Sequence, residues 1–384
     1  MKGALVAGLI LLTACGTSST AVHVTPSAPA TAVTASPSSA ASSAPSPSAS
    51  AAPAAGGSLV HCTAAVPPAD NMLIATLTGS PTVVVRDIQD ISHPRTLCTF
   101  DAAALNPRFV SGSQVAYVTT SGQITKADLA GGGTTVMATP GSAFGPGQFS
   151  VSPDGRSVTY LAGAWHLVNP SGDHVLTTLP PVPGRGIDPN EDDTFLSFSP
   201  DGLYIALVQT FATGGTGATA PDQVRRASDG SLAFSTSGMT MGVWASVPSR
   251  LFFRDSSGSM QRWDPSSGVS TMLALHWIRP RSSPDGRWIA YTFRTGTSSI
   301  GGVGFYSVQG NSVANTSPPG RSTVRFLNNI LVWYIGEAAC DTCFGGLPAP
   351  TGATYIYDIG GAAETPSRIT NLYDAWPHST APSL

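Results

Sequence analysis

Five cysteines, seven histidines and one acidic run are the residues of this 384-residue chain whose types and spacing could do chemistry. Cys340-Asp341-Thr342-Cys343 is a Cys-x-x-Cys unit, able to close a local disulfide, act as a redox pair or supply half of a zinc site. Redox use is expected on a strand–helix unit with the thiol at the helix start, and zinc wants two more Cys or His nearby. Neither context surrounds the unit, so it reads as a structural staple. Asp188-Pro189-Asn190-Glu191-Asp192-Asp193 gathers carboxylates of the kind that hold Ca²⁺. It lacks the alternate spacing and the glycine of a calcium loop, and a solvated loop is the plainer reading. His23, His61, His93, His166, His174, His276 and His378 are scattered, no two at metal-ligand spacing. Gly214-Gly215-Thr216-Gly217 falls between strands and reads as a flexible loop rather than a phosphate cradle. There is no Gly-x-Ser-x-Gly elbow and no His-Glu-x-x-His. No catalytic residue, metal or cofactor is therefore assigned, and the chain is expected not to be an enzyme.

The elements that must carry these residues divide by charge. Lys2 is the only charged residue before Asp70, and the near balance of 19 basic and 22 acidic residues excludes a strongly basic nucleic-acid binder. Residues 1–14 are a short apolar run behind Lys2, too short for a hydrocarbon core of ~30 Å and typical of an export signal. It ends Leu12-Thr13-Ala14-Cys15-Gly16, which resembles a bacterial lipobox. The resemblance implies that the Cys15 thiol takes a diacylglyceryl group before the signal is removed, with an ordinary secretory signal as the alternative. Residues 15–57 then read as a linker of Ala, Ser, Thr and Pro, with no aromatic residue to bury against its ordering entropy. It is expected to be a disordered stalk between a membrane anchor and the body at 58–373, with 374–384 as a tail.

The body is repetitive. Ser-Pro-Asp-Gly occurs at Pro153-Asp154-Gly155, Pro200-Asp201-Gly202 and Pro284-Asp285-Gly286, each followed by an apolar run. Proline presets φ, Asp can bond its own backbone and Gly supplies positive φ, so each is a tight turn between antiparallel strands. The triplet after the turn recurs as Leu73-Ile74-Ala75, Val115-Ala116-Tyr117, Val158-Thr159-Tyr160, Ile205-Ala206-Leu207, Leu251-Phe252-Phe253, Ile289-Ala290-Tyr291 and Leu331-Val332-Trp333, at a mean period of about 43 residues. Four strands per period predict an all-β, seven-bladed propeller of four-stranded antiparallel blades. The motifs resemble the WD-repeat-like blades of the TolB family and of prolyl-oligopeptidase-type propellers. The second likeness is expected to stop at the propeller, because no nucleophile elbow follows.

Ring closure admits two readings. Ser58–Ala64 could be the innermost strand of the first blade with Ser367–Leu372 outermost in the last, or Ser58–Ala64 could complete the last blade. With Cys340 and Cys343 closed locally, Cys62 is left to Cys98. In the whole-blade reading these lie three strand spacings apart, too far for a disulfide. A bridge would favour the exchanged strand or put the N-terminal strand near the outer edge.

Long connections at 180–193, 211–222, 296–302 and 335–353 fall between fourth and first strands or between second and third, which emerge on one face. That face is expected to bind a partner, with Asp188, Glu191, Asp192 and Asp193 among its loops. The leading expectation is a lipid-anchored lipoprotein of the bacterial envelope, held outside the cytoplasm. Its propeller binds a protein or envelope ligand without catalysis and takes no nucleic acid. A hydrolase or lyase working in the central channel, or a scaffold of an envelope complex, are the alternatives. The inner strands Phe149-Ser150-Val151, Phe195-Leu196-Ser197 and Val324-Arg325-Phe326 are too apolar and hydroxylic to encourage the enzyme.

Overall fold

The computed structural model describes residues 58–63, 71–90, 93–130, 133–141, 149–178, 194–209, 222–236, 240–246, 249–255, 257, 259–273, 277–293, 301–338 and 349–376. Of the two compact units in the chain, Met1–Pro53 and Ala54–Leu384, all of these belong to the second. The signal, Cys15, the linker to residue 57, the acidic run at 188–193, Cys340 and Cys343, and 377–384 lie outside the described residues.

The described residues form strands and no helix, arranged as seven antiparallel sheets. From the innermost strand outward, blade 1 is β29 (Ile369–Trp376), β2 (Met72–Leu77), β3 (Ser80–Asp87), β4 (Arg95–Phe100) and β1 (Val60–Cys62). Blade 2 is β5 (Ala104–Ser111), β6 (Gln114–Thr119), β7 (Ile124–Asp128) and β8 (Thr134–Ala138). Blade 3 is β9 (Phe149–Val151), β10 (Val158–Leu161), β11 (Ala164–Asn169) and β12 (Gly172–Thr178). Blade 4 is β13 (Thr194–Phe198), β14 (Tyr204–Gln209), β15 (Asp222–Arg226) and β16 (Leu232–Thr236). Blade 5 is β17 (Thr240–Ser246), β18 (Ser249–Arg254), β19 (Met260–Asp264) and β20 (Val269–Leu273). Blade 6 is β21 (Ile278–Ser282), β22 (Trp288–Phe293), β23 (Gly302–Ser307) and β24 (Ser312–Thr316). Blade 7 is β25 (Arg321–Phe326), β26 (Leu331–Ala338), β27 (Ala349–Asp358) and β28 (Ala363–Pro366). The first strands are innermost because they touch one another around the ring, as β29 touches β5 and β17 touches β21.

No blade has a core of its own. The seven apolar clusters each lie between two neighbouring blades. The recurring triplet explains this, because successive side chains of a strand point to opposite faces. Ile289 and Tyr291 pack back on blade 5, whereas Ala290 packs forward on blade 7. In the last blade Val332 and Tyr334 face blade 6 and Trp333 faces blade 1. The working triplet there is Val332-Trp333-Tyr334, one residue later than expected. Aromatic residues fill one of the junctions: Trp244, Trp263 and Phe253 with Tyr204 and Phe234 join blades 4 and 5. Each large side chain so buried contributes about 1.5–3 kcal/mol.

The Ser-Pro-Asp-Gly turns are built alike, and their serine, unexplained by the sequence reading, is central. Ser152, Ser199 and Ser283 are buried. Each hydroxyl accepts the N–H of the residue five positions on (Ser157 at 2.9 Å, Tyr204 at 2.9 Å, Trp288 at 3.0 Å) and donates to the turn Asp Oδ1. That oxygen also accepts the N–H of Arg156, Leu203 or Arg287. The glycines sit at φ of 66°, 71° and 67°, where a side chain would be strained.

Closure differs from both expectations. The exchanged strand is the C-terminal one: β29 is the inner strand of blade 1, and β1 lies outermost in that blade, beyond β4. An inner strand is covered on both faces, which Ile369, Leu372, Asp374 and Ala375 satisfy. The outer strand of blade 7 is instead Ala363–Pro366, whose proline is tolerated at an edge. Three-residue β1, with His61 exposed, likewise suits an edge. The tail boundary at 374 moves accordingly, since β29 runs to Trp376. Cys62 is directly opposite Cys98 and bonded to it, Cα–Cα 4.0 Å.

Two stability measurements follow. Removing the Cys62–Cys98 bridge with Cys62→Ala/Cys98→Ala frees a loop of 36 residues in the unfolded chain and is expected to cost about 2–4 kcal/mol in denaturant melts. Ser199→Ala deletes a buried hydroxyl that serves two partners and is expected to cost about 1–2 kcal/mol.

Candidate functional site

Alternating strand direction gives the ring two faces. First-to-second and third-to-fourth connections share one, which carries the Ser-Pro-Asp-Gly turns and is here termed the turn face. Second-to-third and blade-to-blade connections share the other, the loop face. The long connections fall on the loop face as expected: β12 to β13, β14 to β15, β22 to β23 and β26 to β27. Their central residues, with Asp188, Glu191, Asp192, Asp193, Cys340 and Cys343, are outside the described residues.

The innermost strands carry a feature the sequence reading missed. Register places Asp374, Arg108, Ser150, Ser197, Val243, Arg281 and Arg325 at equivalent positions, opposite Ile74, Ala116, Thr159, Ala206, Phe252, Ala290 and Trp333. Ionic side chains thus occupy four consecutive blades, 6, 7, 1 and 2, while blades 3 to 5 offer hydroxyls and a valine. The signal was present in the sequence: Arg281 precedes Ser283 by two, as Ser150 precedes Ser152. The same position could then be followed into the remaining copies.

This arc is embedded in the wall. Asp374 and Arg281 are 4 % exposed and Arg108 8 %. Asp374 Oδ2 accepts the Phe109 N–H of blade 2 at 2.7 Å. Arg108 donates to the Phe149 carbonyl of blade 3, its guanidinium lying 4.4 Å from the Phe149 ring centroid. Burial pushes the Arg108 pKa down to about 10, with the Asp374 charge opposing, so Arg108 stays cationic at neutral pH. Arg281 donates to the carbonyl of Pro280 and Arg325 to that of Val324, both on their own strands. Blade 1 is thus tied to blade 2, and blade 2 to blade 3, through side chains on inner strands.

A second polar network lies near the loop face of blade 7. Arg321 grips Glu364 with both arms of its guanidinium, at 2.8 and 2.7 Å, and lies 3.9 Å from the Tyr355 ring centroid. Tyr334 donates to Glu364 at 2.6 Å, and Ser322 donates to Glu337 at 2.6 Å. The Arg321 and Tyr334 bonds hold the Glu364 carboxyl below its usual range, against burial. Burial and the same carboxylate push the Tyr334 hydroxyl well up. On blade 3, His166 Nδ1 lies 3.1 Å from Asp173 and its ring stacks on Tyr160, whose pKa burial pushes up to about 12. Among the described residues no three His, Cys, Asp or Glu side chains are grouped to hold a metal.

No known protein family matches the chain, and no curated protein does. Solved propellers are similar in fold. TolB from Acinetobacter baumannii shares 22 % identity over 65 % of this chain and 63 % of its own, with a TM-score of 0.39. Oligogalacturonate lyase from Vibrio parahaemolyticus shares 11 % over 77 % and 84 %, TM-score 0.48. One of two prolyl endopeptidases analysed together shares 12 % over 78 % of this chain and 50 % of its own, TM-score 0.50. The chain therefore spans under two thirds of that TolB and half of the endopeptidase.

The blade 7 network makes a pH test. A carboxyl held below its unfolded value stabilises the fold at neutral pH and loses that contribution as pH falls through its folded value. Glu364→Gln is expected to lower the melting temperature at pH 7 and to approach the unmutated protein as the pH falls below the ordinary carboxylate range, as followed by calorimetry.

Proposed function

We propose that this chain is a bacterial lipoprotein, anchored by lipid on Cys15 and working outside the cytoplasm, whose propeller is a binding module for a protein or envelope ligand. The observation that carries the binding reading is the employment of the inner-wall ions. Asp374 and Arg108, the charged groups nearest in kind to a reactive pair, are spent on tying blades 1, 2 and 3. Catalysis needs groups whose hydrogen bonds are made in the transition state rather than in the resting wall. The Cys62–Cys98 bridge supports export, because such bonds persist in oxidising compartments. The lipobox-like Leu12-Thr13-Ala14-Cys15 supports the anchor.

A channel enzyme is the second reading, favoured by Arg281, Arg325, Arg108 and Asp374 sharing one level of the inner wall. A hydrolase or lyase acting on an acidic polymer would suit such an arc.

Labelling cells with palmitate tests the anchor. Label and membrane fractionation are both expected to disappear in Cys15→Ser, and unlabelled protein that stays with the membrane would overturn lipidation. Cross-linking in intact cells tests the module: one discrete adduct that persists in Arg281→Gln supports binding. Turnover of an envelope polymer by the purified protein, abolished by Arg281→Gln in a folded variant, would replace it with the enzyme.

A further inference from the structure

Blades 3 and 4 are the only neighbouring pair in which both first turns are Ser-Pro-Asp-Gly. Between these turns, on the turn face, is a cleft of about 700 Å³. One wall is Ser152, Pro153, Asp154 and Ser157 of blade 3; the other is Asp201 to Tyr204, with Phe198 behind them and Arg226 to Ser228 at the side.

Two of the corresponding junctions are bridged. Between blades 2 and 3, Lys126 Nζ donates to the Gly155 carbonyl at 2.8 Å and Val110 crowds the same glycine. Between blades 6 and 7, Asn329 Oδ1 accepts the Asp285 N–H at 3.0 Å, and Arg287 pairs with the second oxygen of Asp285 at 3.5 Å. At blades 3 and 4 the turns meet only at the base, where Gly202 faces Pro153 Cδ. Asp154 and Asp201 each use Oδ1 within their own turn, and the second oxygen of each receives no hydrogen bond among the described residues.

Charge and shape restrict what fits. Asp154, Asp201 and the adjacent Asp229 face Arg156 and Arg226, with Arg156 acting on Asp154 and Arg226 on Asp229. Asp201 is the exposed carboxylate of blade 4 beside the cleft. Next to it Leu203 is 61 % exposed, an apolar step beside the carboxylate. We infer that this cleft docks a peptide segment of a partner protein, presenting a lysine or arginine to Asp201 and Asp154 beside an apolar residue that covers Leu203. A side chain of that kind would supply a cationic donor like the one Lys126 supplies at the junction of blades 2 and 3, and covering Leu203 would add apolar burial. The inference deepens the binding-module reading by assigning a surface and a ligand chemistry to it, and it places that surface opposite the elaborated loops.

The test uses the full chain in detergent and two capped peptides, Leu-Lys-Leu-Lys and Leu-Glu-Leu-Glu, each carrying a diazirine. The lysine peptide is expected to saturate and to cross-link within 152–157 and 201–204, while the glutamate peptide does not. Asp154→Asn/Asp201→Asn is expected to weaken binding about tenfold, and Leu203→Ser several-fold. Asp285→Asn, the same change in the bridged turn of blade 6, is expected to leave it unaltered and controls for damage to a turn. Equal binding of both peptides, adducts elsewhere, or an unweakened double variant would overturn the cleft. Those outcomes would leave the in-cell adduct, and so the binding-module reading, standing.

Discussion

Every blade of this ring depends on having a neighbour on both sides, because the apolar residues of each sheet are buried only against the next. A missing contact anywhere would leave two faces wet, so closing the ring matters to all seven junctions at once. The chain closes it with β29, its last described strand, laid inside blade 1 between the blade's own β2 and the inner strand of blade 2. Ile369 and Leu372 complete the cluster with blade 7, while Asp374 reaches the backbone of blade 2. A buried carboxylate is costly unless well paired, and here a backbone N–H and the Arg108 charge meet that need. Arg108 extends the tie to blade 3.

Much of this was legible beforehand. Proline, aspartate and glycine in a fixed order announced the turns, and the triplet that follows them counted the blades, since period-two burial demands alternating side chains. Closure was not legible, because an inner and an outer strand differ only in whether both faces are covered. Ser367–Leu372 and Ala363–Pro366 are both short and mixed, and only the surroundings decide which goes inside. The inner-wall ions escaped for a related reason. Arg281 and Asp374 look like surface residues when read singly, and register is needed to bring them to one level. Elimination pairs Cys62 with Cys98, and of the arrangements that allow the bond the structure takes the outer edge, as a fifth strand of the blade.

The polar chemistry of the ring is distributed by radius and by face. Near the axis, charge ties inner strands together. Toward the loop face of blade 7, Arg321, Glu364, Tyr334 and Tyr355 brace the strands from which the connection at 339–348 departs. On the turn face the same Asp side chain is satisfied in blade 6 and half-used in blades 3 and 4. A repeat allows this, because one turn geometry can be kept while its neighbour changes from asparagine to aspartate. Binding capacity then arises where two unaltered copies happen to be adjacent.

The bridge between β1 and β4 also determines how the body would bear a load. Any pull on the chain ahead of Ser58 arrives at the loop-face end of β1, which runs antiparallel to β4. The three paired positions, Val60 with Phe100, His61 with Thr99 and Cys62 with Cys98, would be strained together in shear, and the covalent bond sits at the end of that ladder. Tension therefore passes into the middle of β4 and is shared across the five strands of blade 1, instead of running along the backbone into β2 and prying it from the strand that closes the ring. The protein is mechanically grounded at its rim, so the closure strand is shielded from a pull applied ahead of Ser58.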